Sequence, residues 1–110
     1  MGMANSKRAV VDLKKLRDYC LNPHHPRGRH KARVFAAALG LFTEDAELLK
    51  TALLRAARHN HAIQSVGDEY GQRYVVDFLM TGPKGEPIVR SSWIVVNGEK
   101  RPRFLSCYVL

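Results

Sequence analysis

The chain has 110 residues, 45% of them hydrophobic and 25% charged, with a net charge of +8. That is the size and composition of one globular domain, able to bury roughly 60–70% of its unfolded surface in a single core. No apolar run approaches the ~20 residues of a membrane span, and Met1–Arg8 lacks a signal-peptide stretch, so the reading is a cytoplasmic protein with no membrane contact.

Residues 1–8 are expected to be flexible and 9–110 to form the domain. Val10, Leu13, Leu16 and Cys20 recur at helical spacing, which predicts a helix over about 9–21, ended by Asn22-Pro23. His24 to Gly28 form a stiff loop. A second helix is expected from about Arg29 to Leu39, with Gly40 as its C-cap. A third starts at Thr43 as N-cap and buries Ala46, Leu49, Ala52, Leu53 and Ala56 before stopping near Asn60.

The period then changes. Residues 62–66, 72–80, 87–96 and 103–110 are rich in Val, Ile, Tyr and Phe, and short Gly-rich turns separate them. Short turns imply antiparallel neighbours, so the fold class is α+β: three N-terminal helices packed on a four-stranded antiparallel sheet. If Gly82 pairs with Gly85 across the Gly-Pro-Lys-Gly turn, Asp77 falls opposite Arg90 and Tyr74 opposite Trp93. Arg90 then has a structural partner as well as any functional one.

The charge is unevenly spread. Residues 1–40 carry +7 and the remaining seventy carry +1. A field so concentrated attracts polyanions, which points to nucleic acid before an acidic protein. Its centre is Pro26-Arg27-Gly28-Arg29-His30-Lys31-Ala32-Arg33. Helical winding puts Val34, Phe35, Ala38 and Leu39 on one face, with Lys31 near the middle of that apolar face and His30 at its edge. A lysine there either extends its head into water or overlooks a cleft on the sheet. The same turn, with free backbone N–H groups and Arg27, Arg29 and Arg33 around it, is a candidate RNA-phosphate site. Histidine is the side chain best suited to giving or taking a proton near neutral pH, which makes His30 a candidate. Cys20, His24 and His25 do not have the four-ligand spacing of a metal site, and no cofactor motif is present. Cys20 and Cys107 read as buried free thiols.

Three segments taken together carry a resemblance: Gly28-Arg29-His30-Lys31-Ala32-Arg33-Val34-Phe35; Tyr74-Val75-Val76-Asp77 with Thr81-Gly82-Pro83; and Val89-Arg90-Ser91-Ser92-Trp93 with Pro102-Arg103-Phe104 and Ser106-Cys107-Tyr108. The combination resembles a bacterial family of uncharacterised free-standing domains. That family in turn looks like the C-terminal nuclease domains of polymorphic contact-dependent toxins, in the group joining barnase, EndoU, the tRNase colicins and RelE. The resemblance implies metal-independent cleavage of RNA, with tRNA a candidate substrate, without a cofactor. It implies His30, Lys31, Arg90, Ser91, Ser106 and Tyr108 as catalytic residues and a small acidic antitoxin or immunity protein as partner. A domain of this kind standing alone is expected to act in its own cell, as the toxin of a toxin–antitoxin pair, or to have lost activity. The alternative is a non-catalytic module that binds RNA or an acidic protein.

Overall fold

The computed structural model describes residues 2–110. The helices come first and the strands last. They are α1 (Leu13–Lys15), which continues as a π-helical turn over Leu16–Cys20, α2 (Arg29–Leu39), α3 (Ala46–His59), β1 (Ala62–Gln64), β2 (Gly71–Leu79), β3 (Ile88–Val96) and β4 (Arg103–Val109). The sheet has four strands in the order β1-β2-β3-β4, every neighbouring pair antiparallel. This is the α+β arrangement expected from the change of period.

The β2–β3 register is the one the turn dictates. Gly82 N–H donates to the Gly85 carbonyl at 2.9 Å, and Asp77 stands opposite Arg90 and Tyr74 opposite Trp93. Alternation then sorts the side chains. Val76, Phe78, Val89, Ser91, Trp93, Phe104 and Cys107 are buried on the face that the helices cover. Asp77, Arg90 and Tyr108 occupy adjacent positions on the opposite face, one per strand. Between Ser92 and Trp93 the β3–β4 register shifts, so Leu105 is the extra residue of a bulge in β4, the edge strand.

Helix α2 lies against β4 and α3 against β2. Phe35, Leu39, Leu49 and Leu53 from these helices meet Val76, Val89 and Trp93 in one core, with Phe104 edge-on to Trp93 at 5.5 Å between ring centres. Gly40 ends α2 with φ 73°, the left-handed conformation that makes glycine the natural residue at this cap.

The first helix departs from expectation. Its Ala9-Val10-Val11 start is extended: Val10 N–H donates to the Pro102 carbonyl and Phe104 N–H to the Val10 carbonyl, both at 2.9 Å, forming a parallel bridge beside β4. β-branched residues beside an open strand edge gain ladder bonds that a helix would forgo. Asp12 caps the helix instead, its carboxylate accepting from Lys14 N–H at 3.0 Å. The segment expected to be flexible holds Met3 in the core and a 3₁₀ turn over Ser6–Arg8, while Met1 lies outside the described residues. At α3, Thr43 is not the cap. A 3₁₀ turn (Thr43–Asp45) precedes the helix, and the Asp45 carboxylate reaches back to Phe42 N–H at 2.9 Å. No helix among the described residues is long and apolar enough to cross a membrane.

Candidate active site

Lys31 sits in the first turn of α2, where that helix meets the edge of β4. The buried stripe of α2 is Ala32, Phe35 and Leu39, while Val34 is exposed, so the apolar face is rotated from the sequence expectation and Lys31 lies at its margin. Its side chain is half-buried. Lys31 Nζ donates to Ser106 Oγ at 3.1 Å and stands 5.4 Å from the centre of the Tyr19 ring and 5.6 Å from that of Tyr108. Two aromatic faces hold the ammonium by its charge. Among the described residues no carboxylate pairs with it.

His30, Lys31, Val34, Tyr108 and Val109 line an open groove of about 310 Å³. A second depression of about 390 Å³ on the other side of Lys31 is lined by Lys15, Tyr19, Leu105 and Ser106. Lys31 therefore forms the ridge between two grooves along the β4 edge. His30 and Tyr108 share the first of them, as a common site requires.

Across the open face the row continues. Arg90 stands opposite Tyr108 and grips Asp77 with two bonds, Nε to Oδ1 at 2.9 Å and Nη2 to Oδ2 at 2.8 Å. The Arg90 guanidinium holds the Asp77 carboxyl below the usual carboxylate range. Asp77, and after it the Tyr108 hydroxyl, push Arg90 further up, so it is a permanent cation. The fork spends Nε and Nη2 on Asp77, and the Tyr108 hydroxyl bonds the same guanidinium from β4.

Ser91 is not part of this group. It is fully buried on the helix-covered face, where its hydroxyl donates to the Val76 carbonyl at 2.7 Å and accepts from Trp93 Nε1 at 2.9 Å. Arg29 and Arg33 lie about 200° around α2 from Lys31, at 100° per residue, and Arg27 precedes the helix. All three are exposed, outside the groove lining.

His25 caps part of the turn expected to hold a phosphate at the start of α2, and the amides of His30 and Lys31 are not among the groups it bonds. His25 Nδ1 accepts from the N–H groups of Arg27 and Gly28, both at 3.0 Å, and the His25 carbonyl takes that of Arg29 at 2.9 Å. The helix end and the side chains therefore both contribute to the positive field here. His25 also meets the Tyr19 ring edge-on at 4.8 Å, which links the cap to the ring that holds Lys31. Gly28 permits the approach, because a Cβ there would fall on the Tyr19 carbonyl oxygen.

Tyr19 and Asp77 are the supporting residues that sequence reasoning passed over as site components. Asp77 was legible as the partner of Arg90. Tyr19 gave no signal, because its contact with Lys31 depends on how the π-helical turn meets α2. Cys20 and Cys107 are free and buried, as expected, and they also lie together beneath Ser106. A hydrogen bond from Cys107 lowers the Cys20 thiol, while the same contact and burial raise Cys107. Among the described residues no group of three His, Cys, Asp or Glu side chains is arranged to hold a metal ion.

A family described as a domain of unknown function, DUF6883, matches residues 2–110. The chain belongs to the DUF6883 family. No curated protein matches the sequence. Among solved structures, this DUF6883 domain is similar to a chain of the contact-dependent growth inhibition toxin–immunity protein complex from Klebsiella pneumoniae 342. The TM-score is 0.70 at 20% identity, over 92% of this chain and 99% of that one. At that identity the likeness is one of fold.

Proposed function

We propose that this DUF6883 domain is a metal-independent endoribonuclease of the bacterial toxin type. The observation that carries the reading is Lys31: a half-buried ammonium with no carboxylate partner among the described residues, fixed between two aromatic rings and facing grooves. A cation placed this way is a site prepared for an anion. Arg90 supplies a second positive group nearby, and His30 a titratable ring on the same groove wall.

The chemistry is intramolecular. The ribose 2′-oxygen attacks the adjacent phosphorus, the O2′–P bond forms and the P–O5′ bond breaks. The products are a 2′,3′-cyclic phosphate and a 5′-hydroxyl. In this proposal His30 takes the 2′ proton and Tyr108, beside Arg90, delivers one to the departing 5′-oxygen. Lys31 and Arg90 carry the charge that develops on the phosphorane, and Ser106 orients Lys31. Asp77 acts only through Arg90, as a positioning residue. Ser91 has no part in the chemistry, since its hydroxyl is committed on the other face. Exposed Arg27, Arg29 and Arg33 are proposed to hold RNA that extends beyond the groove, around α2.

A toxin needs a neutralising partner, and the solved complex pairs a toxin with an immunity protein. For a domain of net charge +8 the complementary partner is a small acidic antitoxin or immunity protein that covers the Lys31–Arg90 row. The test is incubation with total bacterial RNA in the presence of EDTA, followed by mapping of the ends. The reading expects discrete cuts with cyclic phosphate ends, absent with Lys31→Ala. Intact RNA, or cleavage that EDTA abolishes, would refute it.

A further inference from the structure

The cations that the sequence concentrates in its first third do not stay together in the fold. Arg8 is carried to the far end of β4 by main-chain bonds: Val10 N–H to the Pro102 carbonyl and Phe104 N–H to the Val10 carbonyl, each 2.9 Å. Asn5 Nδ2 adds a bond to the Lys100 carbonyl at 3.2 Å, closing a sequence separation of 95 residues. Arg8 thereby joins Lys100, Arg101 and Arg103 around a depression of about 280 Å³. Glu99 is the one acid in that lining, and Arg103 already holds both its oxygens, at 2.9 and 3.0 Å. Arg8, Lys100 and Arg101 are exposed and exceed the available negative charge. Gathering like charges opposes the compact state, and here two distant segments are tied together across that repulsion. An anion bound among them would relieve it.

The cluster also lies in line with the Lys31 site. Lys15 Nζ sits at the Phe104 carbonyl, 3.1 Å away, and Lys31 Nζ at Ser106 Oγ, also 3.1 Å away. Cations thus stand beside β4 at the levels of Arg103, Phe104 and Ser106, and Arg90 stands opposite Tyr108. Lys15 and Lys31 line one shared groove between the two ends.

We infer that the line of cations beside β4, running past the Val10 segment that covers the strand edge at Arg103 and Phe104, is a track for the phosphodiester backbone of an RNA strand, and that Arg8, Lys100 and Arg101 form an outlying phosphate site at its end. With the Leu105 bulge, the path from Arg103 to Tyr108 matches the four residue steps from Ile94 to Arg90 on β3, about 13 Å at the usual strand rise. A stacked strand with one phosphate per ~3.4 Å covers that distance in about four nucleotides. The substrate class is therefore a polymer with about four nucleotides on one side of the cut, and a dinucleotide cannot reach the outlying site. The inference rests on the ribonuclease reading only in taking Lys31 and Arg90 as the place where the strand is cut.

The test compares the full chain with the triple variant Arg8→Ala/Lys100→Ala/Arg101→Ala, whose main-chain ties are untouched. Binding of a fluorescent 12-nucleotide 2′-O-methyl RNA, which cannot be cleaved, is measured by anisotropy against salt. Three lost contacts at about 0.7 each should reduce the log–log salt slope by about 2 and weaken binding about 100-fold at 0.1 M salt. In parallel, kcat/KM should fall on a cleavable 12-nucleotide RNA and stay unchanged on a dinucleoside monophosphate. Should the triple variant not fold, Arg101→Gln alone should reduce the slope by about 0.7. A wild-type chain that does not bind the 12-nucleotide RNA overturns the track. So does an unchanged salt slope, which leaves the hairpin cations to an acidic protein. A chain that binds as expected but cuts nothing keeps the track and refutes the nuclease. One that cuts with the slope unmoved keeps the nuclease and refutes the track.

Discussion

Replacing Lys31 by methionine separates the catalytic reading from a structural one. The substitution keeps an unbranched side chain between Tyr19 and Tyr108 and removes only the charge. What the folded protein loses is one hydrogen bond to Ser106 and two ring contacts. A bond from a charged donor contributes about 1.5 kcal/mol at the low end, and each cation–π contact at a partly exposed site about 0.5–1 kcal/mol. Against this stands the cost of keeping a half-buried ammonium without a counter-ion, of similar size. The two nearly cancel, so Lys31→Met should change stability by no more than about 1 kcal/mol, a few degrees in Tm for a domain of this size. Cleavage behaves differently. Removing one preorganised donor of transition-state stabilisation typically costs ~10²–10³ in kcat. The assay is initial cleavage rate per folded molecule, with Tm from thermal melting of the same preparation. Wild-type rate with a lowered Tm would show that Lys31 is a packing residue and refute the reasoning.

His30→Ala should cost ~10²–10⁴-fold in cleavage rate and leave Tm unchanged, because the ring is exposed at the groove wall; steady-state kinetics beside a melting curve checks both. Ser91→Ala should do the reverse: it strips Trp93 Nε1 of its buried acceptor, costs about 1–3 kcal/mol by denaturant titration and leaves the rate per folded molecule unchanged. The Asp77 carboxylate is held below its ordinary range by Arg90, so its stabilisation is complete above the unfolded value near ~3.9 and is lost as pH falls through the lower folded value. Tm measured against pH should therefore fall more steeply below about pH 4 in the wild type than in Asp77→Asn, and parallel curves would contradict the pairing.

The parts of the fold legible in the sequence are those set by local chemistry. The Gly82–Gly85 turn fixes the β2–β3 register, and with it Asp77 against Arg90 and Tyr74 against Trp93. Gly40 marks the end of α2 because its φ of 73° favours a residue without Cβ. What sequence reasoning missed depends on partners far along the chain. Ala9–Val11 has helical spacing, yet it is extended because the edge of β4 offers it ladder bonds. Ser91 looks like Ser106 in a sequence, and only strand parity sends one hydroxyl into the core and leaves the other at Lys31. The amides of Arg27 and Gly28, just before α2, look free until His25 is seen folded back on them. Lys31 was legible as a lysine against an apolar face, but that face is rotated and Lys31 lies at its margin, not its middle. Its rings, Tyr19 and Tyr108, come from a π-helical turn and an edge strand that no spacing relates.

The central claim is that the ribose 2′-hydroxyl is the nucleophile. It is tested by mapping one cut in a defined RNA and repeating the reaction with a single 2′-deoxy nucleotide on the 5′ side of that bond. The account predicts that this bond survives while cuts elsewhere in the same molecule continue, still in EDTA. Cleavage of the 2′-deoxy bond at the original rate would contradict it.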